Sequence, residues 1–158
     1  DLSLEGGEMY LKLGLLDDAE RLADEAIASA PRSSEAWQLR GQVNLARGKP
    51  VEALADFQHS LAFHPDSRDV LRQTAEVYRQ LDRPKRALAT LAILEETYGP
   101  NQVPSDVLAL EGLAQESLGR RADAVESYRA AISKGDAQQE TIDRLAALES
   151  GDGAVTLR

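Results

Sequence analysis

The sequence predicts an all-α fold, a right-handed α-solenoid of four helix-turn-helix units closed by a C-terminal capping helix. Three observations lead there. Alanine and leucine dominate the 158 residues while aromatics make up only 4%, so helix formers are plentiful and the β-branched, aromatic-rich runs of a sheet are missing. The small residues Gly7, Gly41, Ala75 and Gly112 are spaced 34, 34 and 37 apart. The same steps separate Ala19, Ala53, Ala87 and Ala124; Ala23, Phe57, Leu91 and Tyr128; and Ala26, Ser60, Leu94 and Ala131. Four positions sharing one period mark an internal repeat, and units of this length bury their apolar faces by stacking.

One domain, residues 1–150, accommodates the repeats as units of about 1–33, 34–67, 68–104 and 105–136, followed by a capping helix at 137–150 and a flexible tail at 151–158. The second unit shows the logic most clearly. Residues 34–47 carry Trp37, Val43 and Leu45 at helical spacing. Gly48 ends that helix with a left-handed turn, and Pro50 opens the next, where its missing N–H is not needed. Residues 51–63 follow with Leu54, Phe57 and Leu61 on one face, and Pro65 closes the unit. In the third unit Asp82 takes the place of Gly48 and Pro84 that of Pro50. Small residues allow two antiparallel helices to approach, so Gly41 is expected to face Ala53, Gly7 to face Ala19, Ala75 to face Ala87, and Gly112 to face Ala124. Phe57, Leu91 and Tyr128 are expected to fill the gap to the next unit.

Three extra residues fall between the third and fourth units, in TYGPNQVPSD at 97–106. Pro100 and Pro104 stop helix there and Ser105 is expected to cap the next one. This is either a connection or a rim that touches a partner. In residues 137–150 an apolar face of Ile142, Leu145, Ala146 and Leu148 opposes Gln138, Gln139, Glu140 and Asp143, as a helix that covers the last unit requires.

The period of 34, the Trp37–Gly41 spacing and the Ala53, Phe57, Pro65 series resemble the tetratricopeptide repeat over about residues 1–135. The sequence departs from that pattern at Asn44, where the family often has the tyrosine present here as Tyr10 and Tyr78, at the small Ala23, and at Asp136 in place of a closing proline.

Chemistry of an enzymatic kind has no foothold, so no catalytic residue, metal ligand or cofactor is expected. His59 and His64 are five apart and point from different faces of a helix. Asp17–Asp18 and Glu95–Glu96 are adjacent and diverge, and Ser33–Ser34 reads as a helix cap. Trp37, Tyr10, Tyr78 and Tyr128 occupy packing positions, which argues for core over an aromatic cage. There are no cysteines, which excludes disulfides and thiol catalysis. The net charge of −9 argues against nucleic acid and an anionic membrane surface, and no apolar run suits a spanning helix. A soluble chain, cytoplasmic or periplasmic and a fragment of a longer one, is expected.

The resemblance implies that first helices line a concave groove that takes an extended peptide or helix. Carried onto this sequence, the groove is Leu4, Glu8, Leu11 and Lys12; Glu35, Gln38, Gln42 and Leu45; Asp69, Arg72, Glu76 and Arg79; and Ala109, Leu113 and Glu116. Its start is acidic, its middle carries arginines that can pair with Glu76, and its far end is apolar at Ala109 and Leu113. A protein segment with basic and apolar residues suits it. Some family members grip a C-terminal carboxylate with lysine, asparagine and arginine on successive first helices. Here Leu4, Glu8, Leu39, Asp69 and Gln73 stand in one frame and Gln38, Gln42, Gln73, Asp106 and Leu110 in the other, so no cationic clamp is expected. Two rivals to the binding module remain, namely self-assembly into a scaffold and a non-catalytic accessory domain of a larger enzyme or complex.

Overall fold

The computed structural model describes residues 2–151, so the tail expected at 151–158 lies, beyond Gly151, outside the described residues. Among these residues there are nine helices and no strand: α1 (Leu2–Lys12), α2 (Leu16–Ser29), α3 (Ser34–Ala46), α4 (Pro50–Phe63), α5 (Arg68–Gln80), α6 (Pro84–Glu96), α7 (Ser105–Ser117), α8 (Arg121–Ser133) and α9 (Gln139–Ser150). The fold is an all-α helical repeat. Punctuation works as the sequence suggests. Gly48 has φ 70° and Asp82 takes the same left-handed region at φ 53°, which a short polar side chain tolerates. Pro50 and Pro84 are the first residues of α4 and α6. Ser33 caps α3, its Oγ accepting from the Ala36 amide at 3.2 Å. Ser105, by contrast, is already helical and buried, and the cap position belongs to Pro104.

The chain divides into two compact units, Asp1–Leu81 and Asp82–Arg158. In the first, α1 pairs with α2 and α3 with α4; α2 also packs on α3, α4 on α5, and α1 on α3. Its core contains Ala19, Ala23, Leu39, Val43, Ala53, Phe57, Val70 and Val77. In the second, α6 packs on α7, α7 pairs with α8, and α8 packs on α9. Ala124 and Tyr128 of α8 there form a cluster with Leu148 of α9.

The small residues mark close approaches, but their partners differ from those expected. A Cβ on Gly41 would lie 2.6 Å from the Phe57 ring, and one on Gly112 would lie 2.6 Å from Tyr128 Cδ1. Each aromatic ring therefore lies over the glycine of its own hairpin, where Ala53 and Ala124 were expected. Gly7 meets the side chain of Leu39 most tightly, with the Ala19 carbonyl farther off at 3.7 Å. Trp37 is not core either. It is half-buried, stacks on the exposed His59 ring at 4.3 Å, carries the Arg40 guanidinium 4.7 Å from its ring centre, and donates its indole N–H to the Pro31 carbonyl at 2.9 Å.

A polar cluster inside the α3–α4 hairpin has no counterpart in the hydrophobic pattern. Asp56 is 3% exposed. Its Oδ1 accepts from Arg40 Nε and Nη2 at 3.1 and 2.7 Å, and its Oδ2 accepts from Asn44 Nδ2 at 2.8 Å. Arg40 also reaches Asp24 of α2 at 3.1 Å. Two repeat steps later the same three positions are Glu111, Gln115 and Ser127. Ser127 Oγ donates to Glu111 Oε2 at 2.9 Å and lies 2.8 Å from the Gln115 side-chain amide. Asn44, which departs from the tyrosine pattern, is thus a member of a paired buried group.

The cap is α9, two residues shorter at its start than expected and turned about its axis. Thr141 and Leu148 are buried and Leu145 is half-buried, while Ala146 is exposed and Ile142 is 40% exposed. Thr141 and Leu148 stand 34 residues after the buried Val107 and Ala114 of α7. The helix therefore docks in the repeat register, as the first helix of a further unit, and not in the orientation that buries the most apolar side chains.

Candidate functional site

A cleft of about 280 Å³ opens in the first unit between α1, α3 and α5. Helix periodicity builds its walls, because residues three and four apart share a face. Glu8, Leu11 and Lys12 come from α1; Glu35, Gln38, Leu39 and Gln42 from α3; and Asp69 from the first turn of α5. Gly7 lets α1 settle on α3, since any side chain there would strike Leu39, whose buried isobutyl group forms part of the lining.

Electrostatically the cleft is acidic, with three carboxylates against the single ammonium of Lys12. Glu35 is favoured in its charged form. Its own backbone N–H, followed by the hydroxyl of Ser33, holds its carboxyl below the ordinary glutamate range, and Ser33 Oγ donates to Glu35 Oε2 at 3.1 Å. The first turn of a helix favours such a negative charge through its unpaired amides. Gln38 and Gln42, one helical turn apart, add amide donors and acceptors.

Of the residues selected from sequence, the structure brings Glu8, Lys12, Gln38, Gln42 and Asp69 together around this cleft, with Leu11 and Glu35. Leu39 lines it too and was missed, although its helical spacing from Glu35 and Gln42 was a usable signal. Leu4 and Leu45 are half-buried and stand outside the lining. Farther along α5, Arg72 is exposed, whereas Arg79 is bound to Glu76 at 2.7 and 3.1 Å and Gln80 donates to the same carboxylate at 3.3 Å. In the second unit, Ala109 is half-buried and Leu113 packs against the Ala124–Tyr128–Leu148 cluster. Glu116 accepts from Tyr128 Oη at 2.8 Å and pairs with Arg144 of α9 at 3.3 Å. Burial and the bond to Glu116 push the Tyr128 phenol up from its ordinary value. Leu113 and Glu116 are thus engaged by the chain itself.

Among the described residues no cluster of three His, Cys, Asp or Glu side chains is arranged to hold a metal ion, and no helix is long and apolar enough to cross a membrane. Residues 4–68 match the family model of the tetratricopeptide repeat. That segment belongs to the tetratricopeptide-repeat family. Proteins with these repeats are in general interaction scaffolds without catalytic activity. No curated protein matches the chain in sequence. Among solved structures it is similar to MamA from Desulfovibrio magneticus, with 17% identity, a TM-score of 0.86, and 96% of this chain and 84% of that one covered. It is also similar to PilF of Pseudomonas aeruginosa, at 21% identity, TM-score 0.84, and coverage of 96% and 68%. A thermophilic tetratricopeptide-repeat protein of Thermus thermophilus gives 19% identity, TM-score 0.69, and coverage of 90% and 77%. At these identities the likeness is one of fold alone.

Proposed function

We propose that this chain is an interaction module that holds a basic and apolar segment of a partner protein in the cleft between α1, α3 and α5. The observation that carries this reading is the meeting of Glu8, Glu35 and Asp69 around the Leu11 and Leu39 side chains. Such a lining suits a lysine or arginine next to a leucine-like side chain. The volume is below the roughly 300–1,000 Å³ typical of drug-sized ligand sites, which fits a few side chains of a peptide better than a buried cofactor. Rim charges of this kind raise association rates and set orientation, with an energy that salt screens.

Calorimetric titration with two synthetic peptides tests the reading, one alternating lysine and leucine and one alternating glutamate and leucine. The lysine peptide is expected to bind, more weakly as salt is raised, and to lose several-fold in affinity with Glu8→Lys or Asp69→Lys, since each reversal removes an exposed charge contact and puts a like charge in its place. Equal binding of the two peptides, or unchanged affinity in both variants, would overturn it.

A further inference from the structure

The turn between the first and second helix of every hairpin falls at one repeat position. In the first unit these turns read GLLDD at 14–18 and GKPVE at 48–52; in the second they read DRPKR at 82–86 and GRRAD at 119–123. The first pair carries three carboxylates and one cation, the second pair five cations and two carboxylates, Asp82 and Asp123. This basic pair stands in a chain whose net charge is −9. Arg83, Lys85, Arg86, Arg120 and Arg121 are all exposed. Both turns belong to the second unit and lie at one end of it. Helix α7 packs on α6 and pairs with α8. Lys134, just past α8, donates from Nζ to the Asn101 carbonyl in the connection that follows α6, at 2.6 Å. The C-terminal ends of α6 and α8 therefore lie together, and their basic first turns lie together at the other end. The fold does not account for these cations. In the first turn of a helix they oppose the dipole, which favours anions there, and no side chain caps α6 or α8. Six other arginines, Arg21, Arg40, Arg47, Arg79, Arg129 and Arg144, are held by carboxylates. Among the described residues Arg83, Lys85, Arg120 and Arg121 have no ion pair.

We propose that this basic edge docks an extended acidic segment of a partner protein, rich in glutamate or aspartate. Two packing steps of about 8–10 Å separate α6 from α8, so about six extended residues reach both turns. Charge complementarity guides the encounter and sets its sign. A long polyanion such as nucleic acid fits less well, because the acidic remainder of the chain repels it. A short carboxylate segment meets chiefly the local cations, since screening confines each contact to about 10 Å. No run of three adjacent carboxylates occurs in the sequence, so these residues supply no such segment to a second copy. The edge lies in the second unit and the acidic cleft in the first, so this docking is independent of the cleft.

The probe is fluorescein-labelled octaglutamate, titrated with the whole chain at low ionic strength and followed by fluorescence anisotropy. Saturable binding that weakens as salt is raised is expected. Arg83→Glu together with Arg121→Glu, one from each turn, should weaken it about tenfold, since each reversal removes an exposed contact and adds a like charge. Lys85→Glu should weaken it several-fold while melting no lower than wild type, because a carboxylate suits the start of a helix. That pairing separates lost binding from lost folding. Asp69→Lys in the cleft should leave the affinity unaltered. Absence of saturable binding overturns the proposal, and so does equal binding to the doubly reversed chain. A single-stranded oligodeoxynucleotide of the same length that binds as tightly as octaglutamate overturns it, because the edge would then read phosphates. A dimer in sedimentation that the double reversal dissociates also overturns it, because the edge would then belong to a second copy.

Discussion

Asp56→Ala is the sharpest test of how the α3–α4 hairpin is held. The substitution removes the acceptor shared by Arg40 and Asn44. Asn44 is 8% exposed, so its amide loses its partner where water does not readily replace it, at about 1–3 kcal/mol. Arg40 loses two contacts but keeps Asp24, and its side chain is 28% exposed. Its share therefore falls well short of the ~3–5 kcal/mol of breaking a fully buried pair. Together the loss should be near ~3 kcal/mol. With a urea dependence of about 2 kcal/mol per molar, the midpoint falls by ~1.5 M. Urea melts of the wild type, Asn44→Ala, Asp56→Ala and the double variant measure it, and the cycle should show a coupling above ~1 kcal/mol. Replacing Arg40, Asn44 and Asp56 together by apolar residues of similar volume should recover most of the loss, since no charge is then left without a partner. An Asp56→Ala midpoint within ~0.25 M of wild type, about 0.5 kcal/mol at an unchanged slope, would refute the cluster as a source of stability.

Other expectations follow from single contacts. Gly41→Ala gains about 1 kcal/mol of helix propensity but drives a methyl into the fully buried Phe57 ring, an overpacking of about 1–3 kcal/mol. Its melting temperature should drop, and Phe57→Leu in the same chain should cost less than it does alone. Burial, then the charge of Glu111, raises the Glu95 carboxyl above its ordinary range. Folding therefore loses stability as pH rises through the ordinary value and then the folded one. Glu95→Gln should melt higher than wild type near neutral pH and level with it below the carboxylate range, and a uniform difference at all pH values would reject the assignment. Arg144→Ala breaks partly exposed pairs with Glu116 and Glu140, so thermal melts should register under ~1 kcal/mol.

Much of the fold was legible because its signals are local. Gly48 and Pro50 fix the end of α3 and the start of α4 without reference to any other part of the chain. What each helix face meets is not local. Arg40 and Asp56 carry no signal in the hydrophobic pattern, and Asn44 stands out only as a departure from the tyrosine position, until α4 folds back and brings the carboxylate between the other two. Ile142 looked like core because it is apolar, yet the repeat register of α9 places Thr141 inward and leaves Ile142 at the surface. The cleft was partly readable through the family resemblance, which put Glu35, Gln38 and Gln42 on the groove side of their helix. The far part was not, because nothing in α7 announces that Leu113 and Glu116 are taken up by α8 and α9.

The different polar groups in the two hairpins bear on how the chain reaches its fold. Units of nearly equal length and shape invite a first helix to close on the wrong second helix, a characteristic misassembly of repeat chains. If α7 closed on α4, Glu111 would meet Asp56 at an interior position, and two carboxylates would crowd there without a cation. If α3 closed on α8, Arg40 and Asn44 would find the hydroxyl of Ser127 in place of a carboxylate. Juxtaposing like charges costs several kcal/mol, comparable with the whole stability margin of many domains. Arg40–Asn44–Asp56 and Glu111–Gln115–Ser127 thus act as two unlike keys, and each lets a helix recognise its own partner along a nearly periodic chain.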